Sequence, residues 1–195
     1  MTQSLAQSSK GVAPAVVCLY GEESAIREAS SSGAYDFGAV LVVAAVAIPN
    51  LLRSRTAANE ASAVGSVRTL NTAEITYAAT YPERGYAPNL AALGADPVNP
   101  ATASPQHAGF LDQSLANDSC TGDAWCTKSG YHFRVKAICK LHKCDEYVAV
   151  ATPVDTNTGI RSFCSTSDGV IRYKMDASLT SPVTVSVCKS WPPLR

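Results

Sequence analysis

The sequence predicts an α+β fold: one long N-terminal helix forms a spine, and a small antiparallel β-sheet packs against part of it. Three observations predict this. Residues 37–80 keep helical spacing with only Pro49 to interrupt it, four runs of alternating apolar and polar residues follow between 130 and 175, and six of the seven cysteines fall between 120 and 188.

The chain has 195 residues and 46% hydrophobic composition, enough for one compact core with appendages. Lys+Arg and Asp+Glu are both 16. With no net charge and with basic residues scattered singly, no net field attracts nucleic acid or an anionic membrane surface, and no nucleic-acid partner is expected.

Residues 1–36 are rich in Ser and Ala, and their one short apolar run, "GVAPAVVCLY", is too brief to cross a bilayer. The expectation is a poorly ordered, atypical segment with Cys18 unpaired. Residues 37–52, "FGAVLVVAAVAIPNLL", carry no charge and lie between Asp36 and Arg53. They read as the apolar half of the helix and as a short membrane-helix candidate. Sixteen residues rise about 24 Å, less than the roughly 30 Å hydrocarbon layer, so a buried soluble helix is the alternative.

Residues 53–82 form the second, amphipathic half. Ala61, Val64, Val67, Leu70 and Ile75 are expected to line one apolar stripe, leaving Arg53, Arg55, Glu60, Arg68 and Glu74 to face water or neighbouring chains. Thr80 and the following Tyr81-Pro82 end the helix. Pro49 removes an amide donor from the helix interior and predicts a bend.

Residues 83–129 read as a connector, with Asn89 as N-cap and Gly94 as stop of one short helix, and a second short helix near 111–115. Residues 130–195 read as a disulfide-stapled antiparallel sheet. Strands are expected at 130–138, 146–154, 160–166 and 169–175, joined as a meander by the links "CKLHKCD", "DTNTG" and "SDG", with "SPVTVSVC" as a final edge strand. One face of that sheet needs a cover, and the helix stripe is the available one.

The helix with its proline, "AAVAIPNLLRSRTAANEASAVGSVRTLNTAEITYAATYP", resembles the type IV pilins and the pseudopilins of type II secretion systems. "YAPNLAALG" and "DGVIRYK" look like the connector and a late strand of some of them. The resemblance implies a structural subunit that rests in the bacterial inner membrane with its sheet domain outside the cytoplasm. It then assembles with copies of itself or other pilin-like subunits into a cell-surface or periplasmic filament, with residues 37–52 in the filament core and Val40, Leu41, Val42, Val43, Val46, Ile48, Pro49, Leu51 and Leu52 as the assembly positions of the helix. Counting back from Pro49 by the family spacing puts the expected glutamate at Ser32 and the first mature residue at Glu28, and neither matches. No processing site is assigned, and a working subunit is expected to differ from this chain upstream of about Ala39. The alternative function is an envelope-anchored binding or adhesion module that uses the sheet domain.

No catalytic constellation stands out around His107, His132 and His142, so the chain is not expected to be an enzyme or to need a cofactor. His132, Cys139, His142 and Cys144 lack the paired spacing of a zinc site, and Asp155, Asn157 and Asp168 lack the density of a calcium loop; no metal is expected. Cys120, Cys126, Cys139, Cys144, Cys164 and Cys188 instead suit disulfides in an oxidising compartment. Of fifteen possible pairings, the nearest-neighbour choice is Cys120–Cys126, Cys139–Cys144 and Cys164–Cys188.

Overall fold

The computed structural model describes residues 37–117, 120, 124–176 and 182–195, with only the helical backbone for residues 37–49. The chain divides into two compact units, 1–49 and 50–195. The described side chains all belong to the second.

Helix α1 spans Phe37–Thr80. Its C-terminal half is held by a buried face of Ala63, Val67, Leu70, Glu74 and Tyr77, which recur at the threes and fours that align residues on one side of a helix. This corrects the expected stripe. Val64, Val67 and Leu70 are buried, but Ala61 and Ile75 face outward, while Glu60 and Glu74 lie inside. Arg53, Arg55 and Arg68 are exposed, as the sequence leads one to expect. The expected bend at Pro49 falls among residues 37–49, whose side chains lie outside the described residues, as do residues 1–36 with Cys18. Among the described residues, no helix is long and apolar enough to cross a membrane.

Past Thr80 the chain turns through Gly85, whose φ of 70° is open to glycine and strained for other residues. Helix α2, Leu90–Leu93, begins where the Asn89 side chain accepts a hydrogen bond from the Ala92 amide and ends at Gly94. The second helix expected near 111–115 is instead a single turn: Asp112 accepts from the amides of Leu115 and Ala116, and Leu111 and Leu115 point into the core. One turn suffices to bury both leucines, so the chain gains nothing by extending it.

Five strands form one antiparallel meander in the order β1-β2-β3-β4-β5. They are β1 (Cys126–Lys128), β2 (Tyr131–Lys140), β3 (Lys143–Pro153), β4 (Ser162–Thr166) and β5 (Arg172–Lys174). Strand β1 lies in what the sequence reads as connector. Three residues are too few to show alternation, and its pairing with β2 defines it. On one face of the sheet, Tyr131, Phe133, Val135, Tyr147, Ala149, Ala151 and Phe163 form the main core with α1, α2 and the connector.

The other face is covered too, which the sequence did not lead one to expect. Val148, Val150 and Cys164 pack against Val183, Val185, Cys188 and Trp191. The segment expected as an edge strand contains helix α3, Val185–Lys189, capped by the Thr184 side chain on the Val187 amide. Its alternation of Val with Ser and Thr suits a strand, but the disulfide from Cys188 to Cys164 and the packing of Val185 and Cys188 onto β3 and β4 select the helix. The edge of β5 is taken by the C-terminal residues, since Tyr173 donates to Pro192 and Leu194 donates to Ile171. That pairing protects an edge that would otherwise present unpaired amides.

Candidate functional site

The end of the uncharged run is solvent-facing. Leu51 and Leu52 are 61% and 51% exposed, and Ile160, across from them on the loop after β3, is 54% exposed. Between helix and loop lies a groove of about 330 Å³ lined by Leu52, Arg53, Thr56, Ala57 and Glu60 of the helix and by Thr156, Asn157 and Ile160 of the loop.

The groove is held open by hydrogen bonds from helix to loop. Asn59 Nδ2 donates to the Thr158 carbonyl at 3.0 Å, and Thr56 Oγ1 donates to that of Asn157 at 3.3 Å. Glu60 fixes the far end: its Oε1 accepts from the amides of Ile160 (3.0 Å) and Arg161 (3.1 Å), and its Oε2 pairs with the Arg161 guanidinium at 2.6 Å. The guanidinium sits over the rings of Phe163 and Tyr173. A carboxylate with this many donors satisfies its lone pairs, which allows its burial on the sheet side of the helix.

Two further polar residues on the same helix face hold other parts of the fold. Asn71 accepts from the Tyr147 hydroxyl at 3.0 Å and donates to Ser165 Oγ at 2.9 Å. Glu74 is fully buried and accepts from the Ala87 amide at 2.8 Å through Oε2, while its Oε1 accepts from no described residue. Burial pushes the Glu74 carboxyl up to about 8, against the opposing effect of the Ala87 hydrogen bond. Burial also raises the phenols of Tyr131 and Tyr147.

The sequence-predicted residues fall as follows. Leu51 and Leu52 lie at the exposed groove; Val40, Leu41, Val42, Val43, Val46, Ile48 and Pro49 have side chains outside the described residues. The six cysteines are joined as Cys120–Cys126, Cys139–Cys144 and Cys164–Cys188. Each bond does a separate job: the first closes the entry to β1, the second closes the β2–β3 hairpin, and the third ties α3 to β4. With Cys139 and Cys144 bonded to each other, neither is a thiolate for a metal. Asp155 Oδ1 accepts from the amides of Asn157 and Thr158 in its own turn. Asp168 pairs with Arg172 at 2.7 Å, which holds its carboxyl down at about 2. Among the described residues no group of three His, Cys, Asp or Glu could hold a metal ion.

Sequence reasoning missed Glu60 and Glu74 as internal residues, because a charged residue in an amphipathic pattern marks the wet face by default. It also passed over Trp125, which is 37% exposed with the Arg134 guanidinium 4.4 Å from its ring centre. Its place in a Ser/Asp/Gly-rich loop was the available signal. No protein-family model, no curated protein and no solved structure matches this chain.

Proposed function

We propose that this chain is a structural subunit of a filament of the type IV pilus or type II secretion pseudopilus kind, assembled through its N-terminal helix. On this view it resides in the bacterial inner membrane before assembly, with the sheet domain outside the cytoplasm. Its partners are copies of itself or similar subunits. The observation that carries the proposal is the exposure of Leu51 and Leu52, the last two residues of an uncharged run, at the start of the folded unit. Adjacent leucines left facing solvent suit burial against another chain. The antiparallel sheet over the second half of α1 and the three disulfides of an oxidising compartment agree with it.

The test is expression in a pilus-competent bacterium, with recovery of sheared filaments and immunogold labelling of this chain. Labelled filaments are expected from a version in which the residues upstream of about Ala39 are replaced by a family-like leader and an uninterrupted apolar half-helix, and none from that version carrying Leu51→Glu/Leu52→Glu, whose folded unit should melt as its parent's does. Absence of label on any filament, or undiminished filaments from the double variant, would overturn the proposal. The second reading, an envelope-anchored binding or adhesion module, is favoured by the half-exposed Trp125 with Arg134 stacked on it. A membrane-retained, filament-free chain would support that one.

A further inference from the structure

We propose that the disulfide-closed tip of the β2–β3 hairpin is a lipid-binding knob that seats Leu141 in the headgroup layer of an anionic bilayer. Several features of the tip work against the stability of the free protein. Leu141 is 99% exposed and holds a φ of 57°, where Gly or Asn normally sits because a Cβ crowds the backbone. The strand register places Lys140 directly opposite Lys143, and like charges so placed repel. Neither lysine has an ion-pair partner among the described residues. His142 is exposed between them in sequence, and Ile138, at a bulge in the pairing, is 45% exposed.

The tip cannot relax these features by refolding locally. Cys139 and Cys144 are bonded immediately behind it. Cys144 is clamped in turn by the connector, donating to the Arg84 carbonyl at 2.7 Å and accepting from the Tyr86 amide at 3.0 Å. An unfavourable backbone angle, an exposed leucine and a repelling lysine pair are thus held together at one convex point. Strain kept in place by its surroundings is a mark of function.

Charge and shape select the partner. Lysines are mobile point charges without the planar fork by which arginine reads a fixed carboxylate, so the tip is suited to a field of anions rather than to a shaped acidic groove. Binding to nucleic acid phosphates would use the lysines and leave Leu141 in water. An anionic bilayer answers both features at once, with surface charge for Lys140 and Lys143 and apolar depth for Leu141.

The test uses the full chain with Leu141→Trp as a local depth probe, read against the native chain with its two tryptophans. Vesicles are of brominated phosphatidylcholine, alone or with about one third phosphatidylglycerol. The expected result is blue-shifted, quenched emission from the added indole on anionic vesicles only, with about tenfold weaker apparent affinity once Lys140→Gln/Lys143→Gln is added. Insertion of residues 37–52 does not supply this signal, because it arises at the tip. A Leu51→Glu/Leu52→Glu chain should therefore give it unchanged, which separates this test from that of filament assembly. Leu141→Asn controls for folding: it relieves the backbone strain, so it should melt no lower than the native chain, and in the Lys140→Gln/Lys143→Gln comparison melting should likewise hold. No quenching of the added indole, equal quenching on neutral vesicles, or a response to polyglutamate without one to vesicles would each overturn the proposal.

Discussion

Glu74 on the long helix accepts a hydrogen bond from the amide of Ala87, 2.8 Å away, and this is how the helix holds the start of the connector. The carboxyl is sealed from solvent, near Tyr147 of β3, and its other oxygen accepts from no described residue. Ionising it there would strand a charge in a poorly polarisable interior.

The pH dependence follows from that geometry. Burial raises Glu74 to about 8, against 4.5 for the ordinary side chain. Between those values the unfolded chain releases a proton that the folded chain keeps, so this group's stabilisation is complete below pH 4.5, declines as pH rises, and levels off above about 8. The loss by pH 7 is on the order of 3 kcal/mol. Glu74→Gln is expected to flatten the slope and to be more stable than the native chain at pH 8. Urea unfolding from pH 4.5 to 8.5 checks it; parallel curves for the two proteins would contradict the assignment.

Glu60 behaves differently, being met by two amides and a guanidinium. Glu60→Ala should destabilise the folded unit by about 2 kcal/mol, the Arg161 side chain being partly solvated and able to recover water. Amide exchange at Ile160 and Arg161 should accelerate well before exchange in β2. Uniform acceleration across the sheet would show that Glu60 supports the whole core rather than this loop.

The disulfides should differ in their contribution. Cys164–Cys188 spans 24 residues in sequence and Cys139–Cys144 spans 5. On the chain-entropy account, replacing both members of the first pair with alanine should destabilise by about 3.5 kcal/mol, and of the second by about 2 kcal/mol. Chemical denaturation of the two double variants tests the order. Loss of the first should also raise exposure of Trp191, seen as a red shift in emission, because α3 is tied to the sheet through Cys188.

Gly85 should not tolerate a side chain. Its φ is 70°, and an added Cβ would collide with the carbonyl of Cys144, which pairs with this turn. Gly85→Ala is expected to lose about 2 kcal/mol or more, combining backbone strain with a contact the clamped hairpin cannot yield. Thermal unfolding measures it, and a neutral outcome would mean the hairpin base can shift.

The sequence by itself determined what depends on neighbours in the chain. The end of the long helix at Thr80, the Asn89 cap and Gly94 stop, and strands β2 to β5 follow from local spacing and turn residues. The nearest-neighbour cysteine pairs follow from short loops that bring their ends together cheaply. Tertiary structure decided which side of α1 faces inward. Stripes through Ala61 and Ile75 or through Glu60 and Glu74 differ by one residue, about 100° of rotation, and both keep helical period. The choice is made by partners far away in sequence, Arg161 for Glu60 and the Ala87 amide for Glu74. The same holds for "SPVTVSVC", whose alternation suits a strand until Cys188 meets Cys164. Leu141 was visible in "CKLHKCD" only as a hairpin residue; its positive φ belongs to the two-residue turn that the pairing of Lys140 with Lys143 leaves. Local patterns report the periodicity of an element; its orientation depends on distant groups that must satisfy buried polar atoms when the chain packs.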